Sequence, residues 1–165
     1  MRTTRKHVIG FALCVAATIA AALGLGFQGS GCAAQGLEQT LYVPVYSYIY
    51  YGNKEKTIDL TATLSIRNTD ATRSITITLV DYHDSNGKLV RHYLSAPIKL
   101  RPLATVHYVV AESDRSGGLG ASFLVAWSSS EKVSTPVVEA VMIGALSAQG
   151  ISFVCSGQVV QGPSN

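Results

Sequence analysis

The feature that most constrains the fold of this chain is a regular alternation of apolar and polar residues. It is clearest in TIDLTATLSIRN, residues 57–68, where every second side chain from Ile58 to Ile66 is apolar and the side chains between them are polar. An extended strand points successive side chains to opposite faces, so this pattern predicts a strand with one buried face and one solvated face. The segment SITITLVDYHD, residues 74–84, predicts a second strand of this kind.

Turn signals separate the predicted strands at short intervals. The polar segment NTDATR, residues 68–73, predicts a turn, and Asn86-Gly87 predicts a two-residue hairpin loop of type I′. Residues 137–149 could form a helix or a strand, but their β-branched start and Gly144 favour a strand. About seven or eight short strands without a convincing amphipathic helix predict an all-β fold, an antiparallel β-sandwich of immunoglobulin-like or related topology. The strand order is left open.

The N-terminal segment has the composition of an export signal. Arg2, Arg5 and Lys6 precede an uncharged stretch, residues 8–27, and such a segment directs the rest of a bacterial chain across the inner membrane. The sequence GSGC, which ends at Cys32, is similar to the lipobox of bacterial lipoproteins, in which the cysteine is acylated. It has glycine where that motif usually has leucine.

Three fates of this segment stay open: cleavage with lipidation at Cys32, ordinary cleavage after Ala34, or no cleavage, since the uncharged stretch approaches the roughly 20 residues that span a membrane. They predict a protein on the periplasmic side of a bacterial membrane, held by a lipid or an uncut anchor, or secreted to the periplasm. The expected organisation is an export signal with a possible lipobox at 1–31, a tether at 32–39, the β-sandwich domain at 40–160 and a disordered tail at 161–165.

Charge and cysteine content argue against nucleic-acid binding and thiol chemistry. Three of the 13 Lys and Arg residues lie in the leader, which leaves 10 to balance 10 Asp and Glu, so the exported part is formally neutral. A neutral domain gains little from counterion release, and no nucleic-acid partner is expected. Cys14 and Cys32 lie in or next to the leader, so Cys155 has no partner within the domain. Its apolar neighbours predict a buried, unreactive thiol.

Six segments of the domain resemble a known family. They are, in chain order, LYVPVYSYIY, LSIRNTD, VDYHDSNGKLV, GGLGASFLVAW, EAVMIG and QGISFVCSG. Together they are similar to the Domain of Unknown Function 3124 family of bacterial exported proteins, from about Thr40 to Val159. The resemblance implies residence in the periplasm or envelope. It implies no catalytic residue, because that family has no assigned activity.

A row of tyrosines occupies one parity of LYVPVYSYIYY, residues 41–51: Tyr42, Tyr46, Tyr48 and Tyr50. Pro44 shares that parity and predicts an edge strand, at least near its start, because proline donates no ladder hydrogen bond. Tyrosine combines apolar area with a polar tip, so Tyr46, Tyr48 and Tyr50 form a candidate ligand-binding face for a sugar, a peptide or another protein. The competing interpretation places them in the core. We expect Tyr42 in the core and leave the other three open.

A candidate metal site lies on the predicted hairpin. With a two-residue loop, His83 faces Val90 and Asp81 faces His92, so Asp81, His83 and His92 project from one side. Two imidazoles and a carboxylate are a possible ligand set for zinc or copper. The competing interpretation, which we favour, makes them surface residues in an ordinary cross-strand pair.

Two further acidic residues have alternative interpretations. Glu139 is the lone acid in an apolar run; buried, it would be a site candidate, but we expect it on the wet face of an edge strand. Arg67 and Asp70 flank the turn RNTD, and they could form an ion pair that holds the turn together.

Motifs of catalysis are missing from the sequence. There is no G-x-S-x-G elbow, and GGLG lacks the lysine and helix of a phosphate-binding loop. We therefore expect a non-enzymatic envelope binding or assembly module of unknown ligand, a lipoprotein with a possible envelope protein partner and no resident cofactor. The alternative is a periplasmic metal or small-ligand carrier that uses Asp81, His83 and His92. A hydrolase ranks third.

Overall fold

Twelve β-strands make up the part of the chain that the structure describes. The computed structural model describes residues 37–146 and 149–162. Within these residues it contains no helix, and therefore none that could cross a membrane. The strands are β1 (Leu37–Val45), β2 (Tyr48–Tyr51), β3 (Lys56–Asp59), β4 (Thr61–Arg67), β5 (Ile75–His83), β6 (Leu89–His92), β7 (Ile98–Leu100), β8 (Thr105–Val110), β9 (Ala121–Ser129), β10 (Val137–Leu146), β11 (Gln149–Ser156) and β12 (Gln158–Gln161).

Two antiparallel sheets form a sandwich. The first sheet has the order β12-β1-β9-β5-β6, and β7 pairs with the other half of β5. The second sheet has the order β11-β10-β4-β8, and β2 pairs with β3 in a separate two-stranded ribbon. This arrangement confirms the predicted all-β, antiparallel fold class.

The core uses the apolar side chains that the alternation places on one face of each strand. Val43, Phe123 and Trp127 from the first sheet are fully buried, and so are Leu64 and Ala140 from the second. They belong to one continuous apolar cluster that includes residues of both sheets. Each large apolar side chain contributes roughly 1.5–3 kcal/mol by leaving water. Most of the polar residues between them are at least partly exposed, which is why the sequence alternates, although Ser65 and Ser122 are buried as well.

There are more strands than the seven or eight predicted because three extended segments are each interrupted by a bend. One bend lies at Ser47, whose N–H donates to the carbonyl of Gly118 (3.0 Å), and another lies at Leu60, whose N–H donates to the carbonyl of Ser47 (2.9 Å). The third lies at Gly157, where the chain passes from the second sheet to the first. A Cβ at Gly157 would lie 3.1 Å from the carbonyl oxygen of Val138, so the crossing favours glycine.

The β5–β6 hairpin differs from the predicted type I′ turn. The N–H of Asp84 donates to the carbonyl of Lys88 (2.9 Å), so the loop has three residues rather than two. Gly87 has a φ of 77°, whereas Asn86 does not have the positive φ that a type I′ turn requires. The Asp84 carboxylate accepts the N–H groups of Asn86 and Lys88, which stabilises the wider loop.

Strand β1 is an inner strand from Thr40 to Tyr42, where the predicted edge is wrong, and within the described part of the chain it has a neighbour on one side only at Pro44, the residue on which the edge prediction rested. It pairs with β9 from Leu37 to Val45 and with β12 from Thr40 to Tyr42. Pro44 lies beyond the β12 pairing, where the described residues offer no strand on that side. The missing N–H is tolerated there because no ladder needs it.

The domain limits shift slightly from those expected. Residues 37–39, expected in the tether, belong to β1, and Gln161, expected in the tail, ends β12. Residues 137–146 form β10, as the strand interpretation predicted. The export signal, the cleavage alternatives and the lipidation of Cys32 lie outside the described residues.

Candidate functional site

The β2–β3 ribbon carries two tyrosines on one face. Tyr48 pairs with Asp59 and Tyr50 with Thr57 across the ribbon. Because side chains alternate along a strand, these four residues project from the same side. We call this side the ribbon face. The rings of Tyr48 and Tyr50 meet edge to face, with centroids 5.8 Å apart and planes at 77°.

Arg115, from the loop between β8 and β9, lies over the ribbon face. Its guanidinium carbon is 4.5 Å from the centroid of the Tyr48 ring, a cation–π distance. Its Nε lies 3.1 Å from Oδ1 of Asp59, and an η nitrogen donates to the hydroxyl of Thr57 (3.2 Å). Arg115 is half exposed, so it fixes the ribbon to the loop and still meets solvent.

The two tyrosines of the ribbon face differ in exposure. Tyr50 is 51% exposed, and Tyr48 is half-buried under Arg115. Repulsion between the ionised forms of Tyr50 and the neighbouring Tyr48, with a smaller contribution from burial, raises the pKa of Tyr50 above its ordinary value of 10.0. The Tyr50 hydroxyl is therefore neutral near pH 7 and can both donate and accept a hydrogen bond.

The structure separates the four tyrosines of the predicted row into different environments. Tyr46 is partly buried against the core and packs on Phe153, with ring centroids 5.7 Å apart. Tyr42, expected in the core, is 39% exposed, which contradicts that expectation. The reason is that β1 buries Leu41 and Val43, so Tyr42 must point to the other face. Tyr48 and Tyr50 thus remain as the surface pair.

A tightly packed base holds the ribbon and the Arg115 loop together. The hydroxyls of Ser47 and Tyr82 are hydrogen-bonded at 3.1 Å, and burial raises the pKa of Tyr82. A Cβ at Gly117 would overlap the Tyr82 hydroxyl, so this loop position requires glycine. The hydroxyl of Ser85 accepts the N–H of Gly120 (2.8 Å) and donates to the carbonyl of Gly117 (2.9 Å). Sequence reasoning treated this glycine-rich segment as a turn and missed Arg115.

The opposite face of the ribbon borders a groove. Its volume is about 510 Å³, and it is lined by Tyr51, Ile58, Gln149, Gly150 and Ile151. This lining is mostly apolar and includes the beginning of β11. The groove could accept an apolar side chain, but it offers no cluster of ionisable groups for chemistry among its lining residues.

The three residues of the candidate metal site are not brought together as ligands. Asp81 and His92 are paired as predicted, and Nδ1 of His92 lies 2.8 Å from Oδ1 of Asp81. His83 lies opposite Leu89 rather than Val90, because the three-residue loop shifts the register by one residue, and a bulge between Tyr82 and His83 restores it for Asp81. Within residues 37–146 and 149–162, no group of three His, Cys, Asp or Glu side chains could hold a metal ion.

The loops at the far end of the sandwich are held by Asn68. Its amide nitrogen lies 2.8 to 3.2 Å from the carbonyl oxygens of Arg73, Leu100 and Arg101, which share its two N–H donors. Its amide oxygen accepts the N–H of Asp70 (3.0 Å). These bonds join the β4–β5 loop to the β7–β8 loop. Asn68 is buried, and both the nitrogen and the oxygen of its amide have hydrogen-bond partners.

Asp70 extends this network to a third loop. Its carboxylate accepts the N–H groups of Thr72 (2.9 Å), Arg73 (2.8 Å) and Ser134 (3.1 Å). These backbone donors, led by Thr72, lower the pKa of Asp70 to about 2. We call one end of the sandwich the loop end; it is formed by residues 68–74, 101–104 and 130–136. We call the end that carries the β2–β3 ribbon the ribbon end.

Arg67 and Glu139 contact each other, and Cys155 contacts the core. Arg67 pairs with Glu139 (3.2 Å) and not with Asp70, so the predicted clasp of the turn is wrong. Glu139 faces solvent in part, but it lies on β10, an inner strand, rather than on an edge. Cys155 is a free, partly buried thiol packed against the core, and burial raises its pKa.

Fold and site together define an antiparallel β-sandwich with an aromatic surface on a ribbon at one end. Residues 38–160 match the family described as protein of unknown function, DUF3124, and the chain belongs to this family. No curated protein matches the chain. Among solved structures, the crystal structure of Thermotoga maritima 1070 is similar, with a TM-score of 0.47 and 13% identity over 76% of this chain and 97% of that one.

Proposed function

We propose that this protein is a non-enzymatic binding module of the bacterial envelope, and that its ribbon face contacts another envelope protein. The observation that carries the proposal is the exposed Tyr50 ring packed against Tyr48, with Arg115 stacked on Tyr48. Tyrosine and arginine are the side chains most enriched, with tryptophan, at the energetic centres of protein interfaces. Large rigid rings bury much area and lose little conformational entropy on binding.

The packing of the ribbon face supports this role. Arg115 is already fixed by Tyr48, Thr57 and Asp59 before any partner arrives. The base beneath it is fixed by the hydrogen bond between Ser47 and Tyr82. A surface that is ordered in the free protein loses less entropy when it binds, which increases affinity for a given contact area.

The proposed location follows from the leader. Arg2, Arg5 and Lys6 before an uncharged stretch support export, and GSGC before the domain supports a lipoprotein anchored through Cys32. Mass spectrometry of the mature protein tests both statements. An acylated N-terminal Cys32 is the expected result, and an unmodified N-terminus after Ala34 contradicts the lipid anchor.

The binding role is tested by replacing the two tyrosines of the ribbon face. The full chain carrying Tyr48→Ser and Tyr50→Ser is expressed in the native organism and cross-linked in the intact envelope. It is then purified in parallel with the wild type. We expect recovery of a specific envelope partner, measured by quantitative mass spectrometry, to fall roughly tenfold or more. Tyr42→Ser is the matched control, because Tyr42 is an exposed tyrosine on a different face of the sandwich.

Two outcomes contradict the proposal. Equal recovery of every partner from the wild type and the double variant shows that the ribbon face binds none of them. Turnover of ester, glycoside or peptide substrates by the purified protein shows that it is an enzyme. Tyr46 is not included in the variant, because it packs against the core and its loss would disturb the fold.

A further inference from the structure

Strand β11 is a long edge with one side open. It pairs with β10 from Gln149 to Ser156 in eight successive residue pairs without a shift in register. Within the described residues, no strand pairs with its other side. An open edge of this length and regularity is a template for a further strand.

The phase of the β11 ladder shows which backbone groups are free. The N–H of Gly157 donates to the carbonyl of Val138 (2.8 Å), and bonded residues alternate in an antiparallel pair. Odd-numbered residues of β11 therefore bond to β10. The even-numbered residues direct their N–H and C=O groups away from the sheet, and all four are exposed: Gly150, Ser152, Val154 and Ser156.

β11 lacks the devices that normally protect an edge. No charged residue follows Glu139 in the chain, and β11 contains neither proline nor a bulge. The edge strands β6 and β7, which pair with β5 in the first sheet, are different. β6 has four residues and carries Arg91 and His92, and β7 has three residues and carries Lys99. Short strands and charges of this kind discourage pairing with another chain.

We propose that β11 pairs antiparallel with β11 of a second copy of this chain, which joins two four-stranded sheets into one. The longest register that pairs the free backbone groups of the two β11 strands places Ser152 opposite the partner's Val154. Phe153 then lies opposite the partner's Phe153. Ile151 then lies opposite the partner's Cys155. Ile151 is exposed, and Phe153 and Cys155 are only partly buried, so the pairing covers apolar area left open in one copy.

A second copy fits this edge better than a charged peptide does. Every side chain of β11 is uncharged, so two copies meet without like-charge repulsion, and the edge provides no charge to select an acidic or basic partner. The second copy also brings an equally open row of backbone groups, so that both edges are satisfied at once. This inference rests on β11 alone and is independent of the function proposed for the ribbon face.

The association is tested with the full chain by sedimentation velocity over roughly 1 to 100 µM. We expect the wild type to dimerise and Val154→Lys to raise the dimer dissociation constant by roughly tenfold or more, because the two added charges are diagonal neighbours across the symmetry axis. Val109→Lys is the matched control. Val109 lies in the same cross-strand row on the opposite edge strand, and the two valines are 46% and 55% exposed.

The register is tested by Ile151→Cys under mild oxidation. We expect a disulfide between the introduced cysteine and the partner's Cys155, identified by mass spectrometry of the joined peptides. Unchanged thermal unfolding of each variant shows that its fold is intact. A monomeric wild type, an equal loss of dimer in both lysine variants, or a disulfide through another cysteine overturns the proposal. So does cross-linking of β11 to a different protein.

Discussion

The loop end and the ribbon end of the sandwich use polar side chains in opposite ways. At the loop end, Asn68 is 2% exposed and its side chain joins the β4–β5 and β7–β8 loops through hydrogen bonds. At the ribbon end, Tyr50 and Arg115 are about half exposed and rest on a buried base. Buried polar groups that have all their partners fix the connections of a fold. Exposed groups held in place can still bind a partner.

The largest effect on stability should come from Asn68→Ala. The change removes the donor from three carbonyls, of Arg73, Leu100 and Arg101, in a site closed to water. We expect the free energy of unfolding to fall by about 2–4 kcal/mol, measured by urea denaturation. Asn86→Ala, at an exposed turn, is the control and should change it by less than about 0.5 kcal/mol. Equal effects at both sites would show that the loop end is not fixed by Asn68.

A smaller loss of stability should follow from Gly117→Ala in the base of the ribbon end. The new Cβ would overlap the Tyr82 hydroxyl, which must move and stretch its bond to Ser47. We expect a loss of about 1–3 kcal/mol in chemical denaturation. Gly120→Ala is the control, since its Cβ would lie 3.4 Å from the nearest atom, an ordinary contact. A neutral Gly117→Ala would mean that the base is loosely packed.

The pH dependence of stability should locate Asp70 in the loop end. Its pKa in the folded protein is about 2, below the ordinary 3.8, so the ionised form is stabilised by folding. This contribution is complete above pH 3.8 and is lost as the pH falls toward 2. We expect Asp70→Asn to flatten the fall in unfolding free energy over this range. Parallel pH profiles for the wild type and the variant would contradict the assignment.

The smallest effect on stability should come from Arg115→Ala on the ribbon face. The lost contacts to Tyr48 and Asp59 are exposed, and together they contribute about 0.5–1 kcal/mol. The proposed binding role predicts that capture of an envelope partner falls much more than stability does. Arg91→Ala is the control, because Arg91 makes similar contacts to Tyr93 and Asp114, which are not residues of the ribbon. Equal partner capture by both variants would separate Arg115 from binding.

Local patterns in the sequence were enough to predict the fold class. The alternation from Ile58 to Ile66 identified extended chain with a buried face, which a bend at Leu60 divides between β3 and β4, and the β-branched start of residues 137–146 favoured a strand over a helix. These predictions succeed because the direction of a side chain from an extended backbone depends on its own position alone. The family resemblance was confirmed over residues 38–160.

The candidate sites were predicted less well, because they depend on register and on bends. A loop one residue longer than expected moved His83 from Val90 to Leu89. A bend at Ser47 ended β1, so Tyr46 packs against the core while Tyr48 starts a separate ribbon. A change of one residue in register or phase reverses the face of every later side chain. Arg115 is distant from the ribbon in sequence, and no local pattern places it there.

The sequence by itself determined that the chain after residue 34 is formally neutral and built from extended strands with one apolar face, because charge and alternation are properties of consecutive residues. The tertiary structure alone decided which tyrosines meet solvent, where Arg115 stacks, and which strand keeps an open edge. Those features depend on bends and pairings between distant segments, such as the bond from Ser47 to Gly118 that closes the base of the ribbon end. The contacts that fix these features form only when distant segments come together in the folded chain.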